Sequence, residues 1–241
     1  MEEYINTEIK GNYAEIEFFH PSHNSLHSRM LESLILAIEK LEDVETVTAI
    51  ILKSGGDRTF CAGANFDEMK SIVSFDQGME FFSGFGRVIL AMKNSSKLII
   101  GRIQGKAVGG GVGLISACDI AFATKYASIR LSELSIGIGP FVIAPAVERK
   151  IGLASFSELT LNPKAWKDAF WCKGKGLYSE VFDSTVQLDQ YVETYAKEIS
   201  SYNKNAIIEN KKVLWDGVKD LDKLMLARAA ITGKLVLNLK L

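Results

Sequence analysis

The sequence carries almost no net charge, no long apolar run and few cysteines, and each shortage argues against a class of protein. Its 241 residues include 28 Lys or Arg and 29 Asp or Glu, so the net charge of −1 gives no basis for binding nucleic acid or a membrane surface. No apolar stretch approaches the ~20 residues that a membrane-spanning helix requires. The acidic first residues carry no apolar signal segment, so we expect a cytoplasmic protein without a nucleic-acid or membrane partner.

Potential metal ligands are also scarce. The three cysteines, Cys61, Cys118 and Cys172, are odd in number and lack metal-type spacing, which favours buried thiols in a reducing compartment over disulfides. All three histidines lie between residues 20 and 27 in one predicted loop, and no carboxylate or cysteine accompanies them there. We therefore expect solvated histidines and no metal site.

The remaining composition, 47% hydrophobic and 24% charged, suits one globular domain with or without a helical appendage. Apolar alternation and short apolar runs predict strands over 4–9, 13–19, 47–52, 98–103, 120–124 and 128–131. Helical periodicity predicts a helix after an N-cap at Ser28, a stretch over 67–94 that loosens near 71–77, and a helix over 144–151 that ends at Gly152. From Leu188 the strand signals fade, and helices are predicted over 188–201, 205–217 and 220–237. The fold class is therefore α/β with a helical C-terminal region.

The chain is organised around residues 98–119, where a predicted buried strand leads through a glycine-rich turn into a helix. The turn contains Gly109, Gly110, Gly111 and Gly113. Glycine lets a backbone approach a ligand closely, and a helix start leaves N–H groups without intrahelical partners. The spacing departs from the G-x-G-x-x-G of dinucleotide-binding folds, and the G-K-[ST] ending of a phosphate-binding loop is absent. From this stretch alone, an oxyanion site and a tight turn without a ligand both stay open.

A second small-residue turn lies at residues 60–69, with the sequence F-C-A-G-A-N-F-D-E-M. It also follows a predicted strand and precedes a helical pattern, so it offers further free N–H groups. Two such turns could supply two converging donors for one oxygen, and an oxyanion hole consists of such a pair. The two stretches together therefore favour the oxyanion site.

Both stretches resemble blocks of the crotonase (enoyl-CoA hydratase/isomerase) superfamily. Residues 60–69 are similar to its F-x-A-G-A-D-[LI]-x-E-M block, and residues 105–120 are similar to its G-G-G-x-E-L-x-x-x-C-D block. The resemblance covers about residues 4–181 and implies a crotonase-like spiral of stacked ββα units over 1–187. A C-terminal helical trimerisation region over 188–241 is implied as well. The implied partner is an acyl-CoA thioester with no separate cofactor, and the implied assembly is a homotrimer or a hexamer of two trimers.

The resemblance also implies a set of site residues. In the superfamily, the backbone N–H groups at the positions of Ala64 and Gly110 bind the thioester oxygen. The loop before the first helix is similar to the N-R-P-x-x-x-N-A-L segment, which lines the coenzyme A side of the cleft. The implied substrate-binding residues are Asn24, Leu26, Ala62, Phe66, Gly109, Gly113 and Phe141.

Glu133 is the predicted proton carrier. It matches the glutamate of the superfamily's P-E-x-x-x-G segment, and a buried carboxyl can titrate near neutral pH. The hydratases have another glutamate in G-G-G-x-E, where this chain has Gly113. A single carboxylate suits a double-bond shift, as in Δ3,Δ2-enoyl-CoA isomerases, although it could also hydrate through one bound water. Dienoyl-CoA isomerases have an acid where Phe141 stands, so that branch is disfavoured.

Two other functions stay open beside an enoyl-CoA hydratase or isomerase. The missing glutamate permits a crotonase-fold protein that binds acyl-CoA with weak or lost catalysis. A dinucleotide-dependent enzyme is disfavoured by the glycine spacing. The superfamily's E-G-x-x-A-F-x-x-[KR] ending is absent, so no coenzyme A contact is assigned to the last helices.

Overall fold

The computed structural model describes residues 2–218 and 220–239. Its strands are β1 (Tyr4–Lys10), β2 (Tyr13–Phe19), β3 (Ser25–Leu26), β4 (Ala49–Ser54), β5 (Thr59–Cys61), β6 (Gly63–Ala64), β7 (Leu98–Ile103), β8 (Lys106–Val108), β9 (Ile120–Thr124), β10 (Ser128–Arg130), β11 (Lys167–Asp168) and β12 (Glu180–Phe182). Its helices are α1 (Ser28–Glu42), α2 (Phe66–Lys70), α3 (Phe75–Asn94), α4 (Gly110–Ala117), α5 (Ala144–Leu161), α6 (Ala169–Gly174), α7 (Thr185–Ile199), α8 (Lys204–Trp215) and α9 (Leu221–Val236). A 3₁₀ turn, Glu133–Ile136, follows β10.

Successive units of the chain each place one strand in each of two sheets. The larger sheet has the strand order β1-β2-β4-β7-β9-β12, and the smaller has the order β11-β10-β8-β5. The pairs β4 and β5, β7 and β8, and β9 and β10 are therefore three turns of one spiral. Helices α3, α4 and α5 follow these pairs, so the predicted ββα repeat and the α/β class are confirmed. Because β5, β8 and β10 are mutually parallel, their carboxyl ends meet at one edge of the smaller sheet.

The central strands β4, β7 and β9 of the larger sheet are buried on both faces, which explains their apolar sequences. On β4, Ile50 and Leu52 join the main core, whereas Ala49 and Ile51 face a second cluster that includes buried residues of α7. Full burial of each such side chain contributes about 1.5–3 kcal/mol. The C-terminal helix α7 therefore covers the sheet directly. The boundary at residue 188 and the trimerisation role of the last helices stay predictions.

Several predicted element boundaries need correction. Helix α1 has His27 as its N-cap, and the His27 Nδ1 accepts the Met30 N–H at 3.3 Å, whereas Ser28 is the first helical residue. The third predicted helix continues past Gly152 to Leu161, with Gly152 as a non-helical break at φ 74° and ψ 159°. The predicted loosening near residue 71 is confirmed, because α2 and α3 are separate helices.

All three cysteines are buried and unpaired, as predicted. Burial raises the pKa of the Cys61 and Cys118 thiols to about 12, so neither is a thiolate at neutral pH. Within the described residues, we find no helix with the length and apolar character needed to cross a bilayer.

A buried ion pair fastens helix α8 to the spiral. The Lys211 amine lies 3.1 Å from the Asp119 carboxylate, and the two side chains are 3% and 2% exposed. The same amine donates to the carbonyl oxygens of Met92 at 2.7 Å and Lys97 at 2.6 Å. All three N–H donors of Lys211 thus have acceptors, which offsets the cost of burying its charge.

We predict that Lys211→Met lowers the free energy of unfolding by about 3–5 kcal/mol, because it leaves the Asp119 charge and two carbonyl groups buried without their partner. Urea unfolding followed by circular dichroism measures the change. The matched control is Lys212→Met, since Lys212 is 66% exposed and its removal changes stability by about 0.5 kcal/mol or less. Equal losses in the two variants would contradict the assignment.

Candidate active site

One cavity of about 190 Å³ lies at the edge where β5, β8 and β10 end. Seven of the predicted site residues line it: Ala62, Ala64, Phe66, Gly109, Gly110, Glu133 and Phe141. Its other lining residues are Gly63, Met69, Phe82, Phe85, Val108, Ser132, Ile136, Ile138, Gly139, Pro140, Val142, Ile143 and Thr232. Each turn of the spiral contributes one segment of the site. The Ala64 turn follows β5, the glycine turn before α4 follows β8, and the 3₁₀ turn with Glu133 follows β10.

The two glycine turns touch through their backbones. A Cβ on Gly63 would lie 2.8 Å from the Val108 carbonyl oxygen, and one on Gly111 would lie 2.5 Å from the Cys61 carbonyl oxygen. Neither position accepts a side chain without displacing the other turn. Glycine is therefore required at these two positions for the close approach of the turns.

Two backbone amides meet the cavity at this contact. Gly110 is the first residue of α4, so its N–H has no intrahelical acceptor. The Asn65 N–H donates to the Leu26 carbonyl oxygen at 3.0 Å, on the β3 side. Since successive amides of an extended segment point to opposite sides, the Ala64 N–H points away from β3. Neither amide is therefore used by the β3 ladder or by the helix.

Glu133 begins the 3₁₀ turn after β10, and its carboxyl group lies against the first glycine of the α4 turn. A Cβ on Gly109 would be 2.7 Å from Glu133 Oε1. Glu133 Oε2 is buried and has no hydrogen-bond partner among the described residues. Burial raises the pKa of Glu133 to about 7, outweighing the nearby Arg130 guanidinium, which lowers it. A carboxyl with this pKa can both take and return a proton near neutral pH.

The rest of the wall is apolar apart from two hydroxyl-bearing residues, Ser132 and Thr232. Thr232 comes from α9, which packs closely on α3 because Gly78 and Gly233 face each other: a Cβ on Gly78 would lie 3.0 Å from the Gly233 Cα. Sequence reasoning missed Thr232, because nothing local in α9 marks one of its residues as facing the cavity.

Asn24 and Leu26 do not line this cavity. The Asn24 side-chain amide donates to the carbonyl oxygens of Gly55 and Thr59, both at 2.8 Å, and its Oδ1 accepts from the His20 N–H. Leu26 is fully buried and pairs with Ala64 in the short β3–β6 ladder. Leu26 therefore supports the Ala64 turn from behind, whereas Asn24 ties its loop to the connection between β4 and β5. The implied substrate contacts of both residues stay predictions.

Gly113 also lies outside the cavity lining. It is buried one helical turn after Gly110, and a Cβ there would lie 2.5 Å from Ile143 Cγ2. The implied role of Gly113 in substrate binding stays a prediction, and Ile143 from another element packs against the backbone at this position.

His20 and His27 are less solvated than predicted. The Glu3 carboxylate oxygen lies 2.9 Å from His27 Nε2 and 3.4 Å from His20 Nε2, and both rings are half-buried. Each Nδ1 faces a backbone N–H, from Met30 and Ser22 respectively. A histidine that ligates a metal through Nε2 donates a proton from Nδ1. These two acceptors therefore favour a hydrogen-bonded cluster over metal ligation.

We predict that Gly109→Ala costs at least about 1 kcal/mol more stability than Gly11→Ala. Both glycines have positive φ, 53° and 72°, so both substitutions carry backbone strain, and the ψ of −118° at Gly109 adds to it because that conformation lies outside the left-handed helical region. Only at Gly109 does the new methyl group also collide with the Glu133 carboxyl, since nothing lies within 4 Å of a Cβ on Gly11. Urea unfolding of the two variants measures the difference, and equal losses would argue against the contact.

A family model described as enoyl-CoA hydratase/isomerase matches residues 8–230. A peroxisomal Delta(3,5)-Delta(2,4)-dienoyl-CoA isomerase of Arabidopsis thaliana is 30% identical over 235 aligned residues, which cover 89% of this chain and 83% of that protein. A short-chain-enoyl-CoA hydratase of Clostridium acetobutylicum is 27% identical over 208 residues, covering 86% and 76% of the two chains.

The crystal structure of an enoyl-CoA hydratase from Bacillus halodurans superposes with a TM-score of 0.89 at 24% identity. The superposition covers 97% of this chain and 95% of the other, so the crotonase fold extends through the C-terminal helices. Since the family model matches nearly the whole sequence, the chain belongs to the enoyl-CoA hydratase/isomerase family.

Proposed function

We propose that this chain is an enoyl-CoA isomerase that shifts a double bond of an acyl-CoA thioester, with Glu133 as the single proton carrier. One observation carries the choice of reaction. Among the described residues that line the cavity, Glu133 is the only titratable one. A double-bond shift needs one group that takes a proton from one carbon and returns it to another, and a lone carboxylate meets this need.

In the proposed reaction, the N–H groups of Ala64 and Gly110 donate to the thioester oxygen. Their hydrogen bonds strengthen as negative charge develops on that oxygen, which acidifies C2 of a 3-enoyl thioester. The Glu133 carboxylate takes the C2 proton, the double bond moves to C2–C3, and Glu133 returns the proton to C4. Removal of one such donor typically costs about 3–4 kcal/mol in the transition state.

The apolar wall supports this chemistry. A dry cavity strengthens hydrogen bonds to the developing oxyanion and keeps the pKa of Glu133 near the working pH. The relative named as a dienoyl-CoA isomerase has a related sequence, but Phe141 places a phenyl ring in the cavity at the position where the resemblance expects an acid. A mechanism that needs a second acid at 141 is therefore not available to this chain.

An adjoining cleft of about 630 Å³ suits the coenzyme A arm. It shares Ala62 and Val108 with the cavity and carries Arg58 and Lys106, which favour phosphate groups, beside one acidic residue, Asp57. The Lys106 amine and the Arg130 guanidinium both lie over the Trp166 ring, at 5.1 and 4.6 Å from its centre. The exposed ring offers an aromatic surface beside these cations.

We predict that Glu133→Gln lowers turnover of a 3-enoyl-CoA by about 10²–10⁴-fold, because the amide cannot accept the C2 proton. The absorbance of the conjugated 2-enoyl thioester follows the reaction. For the wild type, kcat/KM falls about tenfold per pH unit below the pKa of about 7, since the base must be deprotonated. Unchanged turnover in the variant would remove Glu133 from the mechanism.

The stability of the same variant provides an independent check. Because burial raises the pKa of Glu133 from 4.5 to about 7, the folded chain resists losing this proton and becomes less stable as the pH rises through that interval. At pH 8, Glu133→Gln should therefore be more stable than wild type by up to about 3 kcal/mol, and the difference should vanish near pH 4.

A wild type that binds acyl-CoA but neither isomerises nor hydrates it would favour the non-catalytic alternative.

We predict that Lys106→Glu raises the Kd for an acyl-CoA thioester about fivefold or more at low salt, because it reverses a charge facing the phosphates. The effect should shrink at high salt, where exposed charges are screened. Isothermal titration calorimetry measures the Kd, and Lys212→Glu, on exposed α8 outside this cleft, is the control. Equal effects of the two substitutions on the Kd would show that the coenzyme A arm does not bind in this cleft.

A further inference from the structure

The position where the hydratases of the superfamily carry their other glutamate is filled from a different element. A Cβ on Gly113 would lie 2.5 Å from Ile143 Cγ2 and 2.8 Å from Ile143 Cβ, whereas the next neighbour, Ile89 Cδ1, is at an ordinary 3.5 Å. No real Cβ tolerates the first two distances. A side chain at position 113 therefore forces Ile143 to shift.

Ile143 cannot move aside cheaply. It is the N-cap of α5, and its carbonyl oxygen accepts the N–H groups of Ala146 and Val147, both at 3.1 Å. It is 3% exposed, lines the same cavity as Glu133, and packs directly against the α4 backbone at Gly113.

We propose that Gly113 and Ile143 form a size-complementary pair that decides the reaction of this cavity. The glycine at 113 makes room for the isoleucine at 143. The cavity wall is therefore apolar where the hydratases of the superfamily have a glutamate. Glu133 is then the only titratable group among the described residues that line the cavity. This inference rests on the proposed isomerase function and names Ile143 as its specificity-determining residue.

Hydration and a double-bond shift need different numbers of carboxyl groups, so one residue of the cavity wall can favour one reaction over the other. Hydration adds water across C2=C3: the water oxygen bonds to C3, one water proton goes to a carboxylate, and C2 receives a proton from a carboxylic acid. Two carboxyl groups, one ionised and one protonated, can share these roles and hold the water between them. A double-bond shift moves one proton between two carbons of the same molecule and needs one carboxyl group only. An apolar Ile143 therefore disfavours hydration without hindering isomerisation.

A thermodynamic cycle of Tm values tests the pair without an activity assay. In the presence of Ile143, Gly113→Ala should lower the Tm by about 2–12 °C, because it forces a methyl group into filled space. In the Ile143→Gly background, the same change should raise the Tm, since alanine is the better residue inside a helix and the obstacle is gone. Glycine is also tolerated at an N-cap. A loss of Tm of equal size in both backgrounds would overturn the pair.

The activity test uses Gly113→Glu combined with Ile143→Gly. We expect the ratio of crotonyl-CoA hydration to 3-enoyl-CoA isomerisation to rise at least tenfold over wild type. Ile143→Gly alone controls for the enlarged cavity and should change the ratio much less. Gly174→Glu controls for the added charge, because Gly174 is exposed at the end of α6 with nothing within 4 Å of a Cβ. Gly113→Asp with Ile143→Gly repeats the test if the longer acid prevents folding.

The outcomes separate this inference from the proposed function. A wild type that does not isomerise 3-enoyl-CoA contradicts the proposed function. In that case the Tm cycle still tests whether Gly113 and Ile143 pack as a size-complementary pair. A wild type that isomerises, with folded double variants whose ratio stays at the wild-type value, overturns the role of Ile143 in choosing the reaction. A reversed sign in the Tm cycle together with a raised ratio supports it.

Discussion

The backbone contact between the two glycine turns is the constraint on which the site depends. At Gly63 and Gly111 each turn lies against a carbonyl oxygen of the other, at distances that no side chain would permit. The contact exists because β5 and β8 are parallel neighbours and end at one edge. It brings Ala64 and Gly110 to the same cavity, although they come from different turns of the spiral. In the proposed mechanism, this contact would hold two amide donors in place before a substrate arrives, and preorganised donors stabilise a developing oxyanion most strongly.

Burial then determines what the third turn of the spiral contributes. Glu133 follows β10 as the α4 turn follows β8, so the same repeat that positions the amides also brings a carboxyl group beside Gly109. The apolar wall raises the pKa of that carboxyl group to about 7, and its Oε2 lacks a hydrogen-bond partner within the described part of the chain. Such an arrangement reduces stability, and proteins usually keep it only where function requires it. The cost of burying Glu133 is therefore itself an argument that it acts on a substrate.

The sequence predicts β1, β2, β4, β7, β9, β10, the two glycine turns and Glu133 because each has a local signal: apolar alternation, a run of glycines, or a motif with fixed spacing. Strands β5 and β8 have only three residues each and carry no such signal. Features that depend on distant residues have no such signal. Thr232 reaches the cavity only because Gly78 and Gly233 let α9 pack on α3. The His27 cap depends on which ring nitrogen faces the Met30 amide, which no spacing reveals. The packing of Ile143 against Gly113 has no local signal for the same reason, since Ile143 caps a different helix.

The position of Ile143 also changes how the missing glutamate should be understood. Loss of a catalytic carboxylate alone would leave a hole beside Glu133, and a polar hole in a cavity wall admits water. Here the space is taken by a buried branched side chain whose backbone is fixed at the start of α5. The change at 113 is therefore matched by close packing, which is hard to reconcile with simple decay of an active site. A wall rebuilt around one carboxyl group instead favours a reaction that needs only one, and the shift of a double bond is such a reaction.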